Sequence, residues 1–307
     1  MASPTDFRFT AGPQLIGYLL NSTLYGALTV QVYLYYMAFP RDQLLTKCLV
    51  YVLFLLETVQ TVMILRDGFV IFVGGLSNPA LLDNVELNWF SVPALTGIVG
   101  FCVQMFFTCR IYALSRSWYV PFFVCLLSLA PLITAIMSGV QSFRMKYMTR
   151  VEKGSLLQMN IWLISSAACD LTIAVVMTYY LSRYKSNVRK TKALLRKLMR
   201  LTLETGSLTA SVALIDVVLF MTVRGKYLYV TPSIILAKLY SNTTLAILNS
   251  RFTIAGGRDD PQETTGLVEI QFASGPQTSL GGGGAFADRM AQRRSTVTDS
   301  RVGDLAM

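Results

Sequence analysis

The sequence predicts an all-α membrane protein, a bundle of seven transmembrane helices with a disordered C-terminal tail. Three observations carry that expectation. Hydrophobic residues make up 53% of the 307 and charged residues only 14%. The apolar residues are gathered into seven blocks, at about 14–36, 46–66, 91–114, 118–139, 159–181, 203–223 and 230–249. Each block reaches or approaches the roughly 20 residues needed to cross about 30 Å of hydrocarbon. None shows the polar stripe of a helix packed on a soluble core.

Taken in order, residues 1–13 form a short outer N-terminus, since no basic n-region and short apolar core precede the first block. Block one then acts as its own signal anchor. The connection after block two is the longest, and Asn78-Pro79 supplies an N-cap and first-turn pair for a short helix over PALLDNVEL. Trp89 stands just before block three, where an interfacial aromatic belongs. Blocks three and four are joined by Ser115, Arg116 and Ser117 alone, so they are antiparallel neighbours. Pro121 and Pro131 are expected to make block four irregular. In block six Gly206 and Ala210, with Ser207, Thr209 and Ser211, offer a small-residue face for close packing. Residues 252–307 turn to Gly, Ser, Thr and Gln, a composition that cannot bury a core and predicts a disordered cytoplasmic tail. RRST at 293–296 fits a basophilic kinase site. Asn21 and Asn242 match the glycosylation pattern but lie inside blocks.

Lysine and arginine set the orientation. The alternate connections that include the N-terminus hold eight, and those that include 183–200 hold fourteen. The positive-inside rule puts the N-terminus outside and the C-terminus in the cytoplasm, with the plasma membrane as the expected location. Eight of the fourteen fall in one run: Arg183, Lys185, Arg189, Lys190, Lys192, Arg196, Lys197 and Arg200. Interleaved with Leu194, Leu195 and Leu198, the run extends helix six as an amphipathic segment suited to anionic inner-leaflet lipids. The formal charge of +10 is therefore assigned to topology and lipid, and not to nucleic acid.

The stretch from Arg183 to Arg251 organises the rest. LETGSLTA (203–210) followed by KLYSNTTLAILNSR (238–251) resembles the signature of a multi-pass membrane family of mushroom-forming fungi, catalogued as a domain of unknown function. Gly17 with LYGALTVQVYLYY (24–36), QMFFTCRIYALS (104–115) and Asp170 extend the resemblance over about 14–251. It implies a seven-helix architecture and a fungal source. It implies no activity.

The chain contains no histidine, which removes the commonest metal ligand and general base. The five cysteines all lie in or beside apolar blocks, as small core residues. No cofactor or metal is expected, and no enzyme. Ionisable groups inside the bilayer are expensive and become the candidate site by default. Glu57, Asp170, Asp216 and Lys238 fall in the outer half or near the midplane. They serve either to pin the bundle or to line a polar cavity for an unidentified small ligand, an ion or a proton. Lys238 and Asp216 lie at nearly equal depth on adjacent helices, within about 2 Å, so they are the expected pair, with Glu57 as the substitute partner. A lysine in helix seven invites comparison with retinal-binding proteins, but helix three offers Gln104 in place of an acidic counter-ion. Arg110 and Glu204, at the inner ends of helices three and six, form a candidate cytoplasmic ion pair like that of G-protein-coupled receptors; the alternative is an arginine that snorkels to headgroups. The leading expectation is a receptor-like or sensory protein, and the alternative is a transporter or proton-coupled channel using the intramembrane acids.

Overall fold

The computed structural model describes residues 4–77, 85–115, 117–147, 150–151, 154, 156–183, 189–223 and 227–251. The tail with its RRST stretch, the start of the segment around Asn78-Pro79, and Lys185 lie outside the described residues. Among the described residues the long elements are all helical: α1 (Pro4–Ala38), α2 (Leu44–Ser77), α3 (Phe90–Ser115), α4 (Tyr119–Met145), α5 (Leu156–Arg183), α6 (Arg189–Thr222) and α7 (Val230–Asn249). Five of them, α2 to α6, are long and apolar enough to cross a membrane. The helices α1 and α7 are long enough but less apolar; Gln14 and Asn21 of α1 face protein, whereas its Thr23 and Thr29 are exposed. Fourteen of the twenty residues of α7 are buried, including Ser233, Lys238, Ser241, Asn242 and Thr244.

Several helices outrun their apolar blocks. The helix α2 continues past the block boundary expected at residue 66, through Arg66 and Asp67 to Ser77. The half-exposed Arg66 guanidinium bonds both Asp67 (3.0 Å) and Glu86 (3.1 Å), so the charges interrupt the apolar run without interrupting the helix. The first turn of α3 is a π-turn over Phe90–Ala94 that contains Pro93, and the Leu95 N–H reaches back to Phe90 O. Residues 85–87, the described part of the expected PALLDNVEL helix, are not helical. In α4, Pro121 is only the third residue, in the turn where helices have orphan N–H groups anyway. Pro131 lies inside, and the helix runs on to a left-handed cap at Lys146 (φ 62°). The basic run does extend α6, which is one helix from Arg189. Of its side chains Arg183, Lys197 and Arg200 are described, and all three are exposed; those of Arg189, Lys190, Lys192 and Arg196 lie outside the described residues.

Consecutive helices pack on one another and α7 closes the ring onto α1. The helices α3 and α7 also make contacts across the ring: α3 touches α2, α4, α5 and α7, and α7 touches α1, α2, α3 and α6. The α1–α7 contact is parallel and in fixed register. Thr231 donates to Pro13 O, Asn242 to Leu24 O and Asn249 to Gln31 O, each pair 218 residues apart. Steps of eleven and seven residues return to one face of a helix, so a single edge of α7 is stitched to α1 along most of its length. Gly17 permits the approach, since a Cβ there would meet Ile234 at 3.1 Å. The α5–α6 contact is close at Gly206, where a Cβ would lie 3.1 Å from that of Ala174. Thr209 and Ala210 share this buried face, whereas Ser207 and Ser211 point outward. All five cysteines are free. Large apolar residues such as Leu55, Phe69, Ile133 and Val175 are exposed on the outer wall, where a bilayer would cover them.

Candidate functional site

The three buried carboxylates named from the sequence do not form one cluster. Each is held separately, and α7 takes part in holding all three. The end at which α1, α3, α5 and α7 start is called the upper end below.

Nearest the upper end, Asp216 of α6 is fully buried and receives the Ser233 hydroxyl at 2.6 Å. One turn and a half further down α7, Lys238 is fully buried and forms its ion pair with Glu57 of α2, not with Asp216. The expected pairing fails on rotation. Residues 233 and 238 differ by five positions, about 140° around a helix, so Ser233 faces α6 while Lys238 faces α2. The Lys238 ammonium also donates to Gln60 Oε1 (2.9 Å), and Ser241 donates to Glu57 Oε1 (2.6 Å). Gln60 passes the network on, its amide donating to Ser91 O at 2.7 Å. The nitrogen a retinal-type linkage would need is thus committed to an acid on α2.

The third network surrounds Asp170 of α5. Its carboxylate accepts from Tyr240 OH (2.5 Å), Gln104 Nε2 (3.0 Å) and Thr209 Oγ1 (3.1 Å), drawing on α7, α3 and α6. Ser166 and Tyr240 hydroxyls are 2.9 Å apart; since Tyr240 donates to Asp170, Ser166 donates to Tyr240. Small cavities follow one another along this side. One of about 50 Å³ lies among Asn88, Trp162 and Ser233, a second of about 10 Å³ among Trp162, Ser166, Gln104 and Tyr240, and a third of about 30 Å³ beside Gln104, Asp170 and Tyr240. The first two share Trp162 in their walls, and the last two share Gln104 and Tyr240.

On the α1–α2 side the core below Glu57 is apolar. Leu28, Val50, Leu53, Ile111, Leu245 and Leu248 are all fully buried. Beneath this belt, at the lower end, Arg251 pairs with Asp42 of the α1–α2 turn at 2.5 Å and lies 4.6 Å over the Phe39 ring. Tyr35 donates to the same carboxylate at 2.8 Å. The hydrogen bond from Arg251 is the chief reason the Asp42 carboxyl is held down at about 2, well below its ordinary value.

The expected lock between Arg110 and Glu204 is not formed. Glu204 pairs with Arg200 one turn back on its own helix at 2.7 Å, in the open. Arg110 lies over the Phe106 ring at 4.4 Å, packing its guanidinium against its own helix. The real lower-end ion pair, Asp42–Arg251, joins α7 to the first turn.

Several members were not singled out from the sequence. Gln60, Ser91, Ser233, Tyr240 and Ser241 carry no charge; Gln60 and Ser241 stand three residues after Glu57 and Lys238, and Tyr240 seven after Ser233, but no spacing marks Ser91 or Ser233. Asp67 is fully buried, but the adjacent Arg66 disguises it as the end of a block.

Residues 166–253 match a family of unknown function, DUF6534. The match covers most of α5 and all of α6 and α7, the part of the bundle that holds Asp170, Asp216 and Lys238. It is narrower than the 14–251 span of the fungal resemblance. No curated protein and no solved structure matches the chain.

Proposed function

We propose that this chain is a seven-span, non-enzymatic membrane protein of receptor-like or sensory type, with its N-terminus outside, its C-terminus in the cytoplasm and the plasma membrane as its location. The observation that carries the reading is the double anchorage of α7. Its middle is tied to α2 by Lys238–Glu57 and its lower end to the α1–α2 turn by Arg251–Asp42. A ligand that moves α7 from the upper half must alter both ion pairs. That gives two arrangements of one helix, which is what coupling between distant sites requires. The unpartnered buried amides of Gln14, Asn21 and Asn88 offer donors and acceptors to an unidentified small polar ligand in that upper half. The exposed Arg183, Lys197 and Arg200 extend the reading to anionic inner-leaflet lipids, and the reading includes no nucleic-acid partner. The absence of histidine from the chain supports a non-enzymatic role.

One observation favours the second reading, a transporter or proton-coupled channel: three successive cavities along α3, α5 and α7, the first two sharing Trp162 and the last two Gln104 and Tyr240 in their walls. Purified protein in liposomes carrying an entrapped pH dye separates the two. The receptor-like reading expects no proton flux above empty vesicles under a potassium diffusion potential. Flux that Asp170→Asn or Asp216→Asn abolishes would replace it with the transport reading.

A further inference from the structure

Of the three buried carboxylates, Glu57 has a cation to answer it and Asp216 has a single hydroxyl. Asp170 is different from both. Gln104 and Tyr240 arrive as donors, and Thr209 shares its one hydroxyl hydrogen between Asp170 and the carbonyls of Thr205 and Gly206, so the arrangement suits an ionised carboxylate, which accepts only. Yet among the described residues no lysine or arginine lies within ion-pair distance of it. A buried negative charge held by neutral donors alone is costly in hydrocarbon, and a compensating positive charge is what the site lacks.

The cavity of about 30 Å³ lies directly beside it, between α3, α5, α6 and α7. Its wall is mostly apolar, and its polar atoms come from Asp170, Gln104, Tyr240 and four threonines. Gln104 is only 2% exposed, lines this cavity, and spends its Nε2 on Asp170 while its Oε1 has no partner. Thr205 and Thr243, also on the wall, donate their hydroxyl hydrogens to the carbonyls of Thr202 (3.2 Å) and Leu239 (2.6 Å). With its hydrogen so engaged, each hydroxyl oxygen keeps lone pairs able to accept or to ligate. A carboxylate, an amide carbonyl and hydroxyl oxygens are a hard ligand set suited to alkali and alkaline-earth cations and unsuited to soft metals. A volume of about 30 Å³ exceeds the roughly 10–15 Å³ that one water-sized guest needs, and a single carboxylate balances a single positive charge.

We propose that this cavity binds a monovalent cation of sodium size, held by the Asp170 carboxylate, Gln104 Oε1 and the hydroxyl oxygens of Thr205 and Thr243. The site ties α3, α5, α6 and α7 together through one ion, with Tyr240 of α7 also bonded to the same carboxylate. Occupancy therefore stabilises the packed bundle. The assignment goes beyond the receptor-like reading and does not depend on it, since a cation here would serve a sensor as a brake or a transporter as a coupling ion.

The test is thermal unfolding of the purified full-length protein in lipid nanodiscs, with sodium chloride exchanged for choline chloride at constant ionic strength. The expected result is a midpoint that rises with sodium and saturates, by roughly 5–10 °C at concentrations far above Kd. Potassium should give a smaller rise. In Gln104→Leu the sodium response should weaken, and in Asp170→Asn it should vanish. Equal midpoints in sodium and choline for the unaltered protein would overturn the proposal, as would an undiminished sodium response in Asp170→Asn. If Asp170→Asn does not fold, equilibrium binding of radioactive sodium to the unaltered protein and to Gln104→Leu decides. Saturable binding weakened by the substitution supports the site; no binding, or binding unchanged by it, sinks it.

Discussion

Replacing Lys238 by methionine removes the positive half of an ion pair in which both side chains are fully buried. The Glu57 carboxylate is then left with the Ser241 hydroxyl as its side-chain donor, and Gln60 Oε1 loses its 2.9 Å partner. Breaking a buried pair by deleting one partner costs about 3–5 kcal/mol, and an orphaned amide oxygen adds about 1 kcal/mol or more. A loss near 4 kcal/mol is about three decades in the folding equilibrium, enough to collapse folded yield. Adding Glu57→Gln removes the stranded charge, keeps an acceptor for Ser241, and should return stability to within about 1–2 kcal/mol of the unaltered protein. Adding Asp216→Asn to Lys238→Met should restore nothing, because Asp216 is bonded to Ser233. Size-exclusion profiles after a heating series measure the folded fraction for each variant. Recovery by Asp216→Asn, with none by Glu57→Gln, would refute the assignment of partners.

The lower-end pair predicts a pH response of definite sign. The Asp42 carboxyl is held at about 2 in the folded chain, below the roughly 3.9 of an unfolded one. Its contribution to stability is therefore complete above about pH 4 and disappears as pH falls from 4 to 2; Arg251→Ala should flatten thermal midpoints across that window, and an unchanged acid slope would dismiss the pair. Helix contacts predict a contrast between glycines. A Cβ at Gly97 would lie 2.6 Å from that of Ala135, with no flexible end to move aside, while one at Gly26 meets nothing within 4 Å. Gly97→Ala should destabilise by about 1–3 kcal/mol, and Gly26→Ala should be neutral or stabilising by up to about 1 kcal/mol; equal midpoints for the two would contradict the α3–α4 packing.

Apolar blocks made the helices legible, because burial of some twenty apolar residues in hydrocarbon is a local and additive property. The boundaries were less so. Helix α2 ran past Arg66 and Asp67 because a neighbouring charge on Glu86 lies in a segment distant in sequence, and no periodicity in α2 announces it. Glu57, Asp170, Asp216 and Lys238 were legible as costly groups, and all four are buried. Their pairing was not legible, because depth follows from counting residues while helix rotation depends on neighbours. The rotation of α7 gave Asp216 a serine and gave Lys238 to α2. The lock between Arg110 and Glu204 failed for a related reason: an exposed glutamate takes the nearest arginine, here Arg200 four residues back, at little entropic cost. The lower-end pair needed the α1–α7 register, which appears only once Thr231, Asn242 and Asn249 are seen bonded to carbonyls of α1.

Seven crossings, with α1 and α7 parallel, require the α1–α2 turn and the C-terminus to share a face of the membrane opposite the N-terminus. Five crossings by α2 to α6 alone would put the turn and the C-terminus on opposite faces. The direct measurement uses intact cells, a variant with all five cysteines replaced, a single reporter cysteine at the exposed Arg41, and epitope tags before Met1 and after Met307. An impermeant maleimide and externally added antibodies read the three positions before and after permeabilisation. The expected result is an N-terminal tag reached from outside, and a residue 41 and C-terminal tag reached only after permeabilisation. A C-terminal tag and residue 41 found on opposite faces, or both tags on the same face, would contradict the seven-span arrangement.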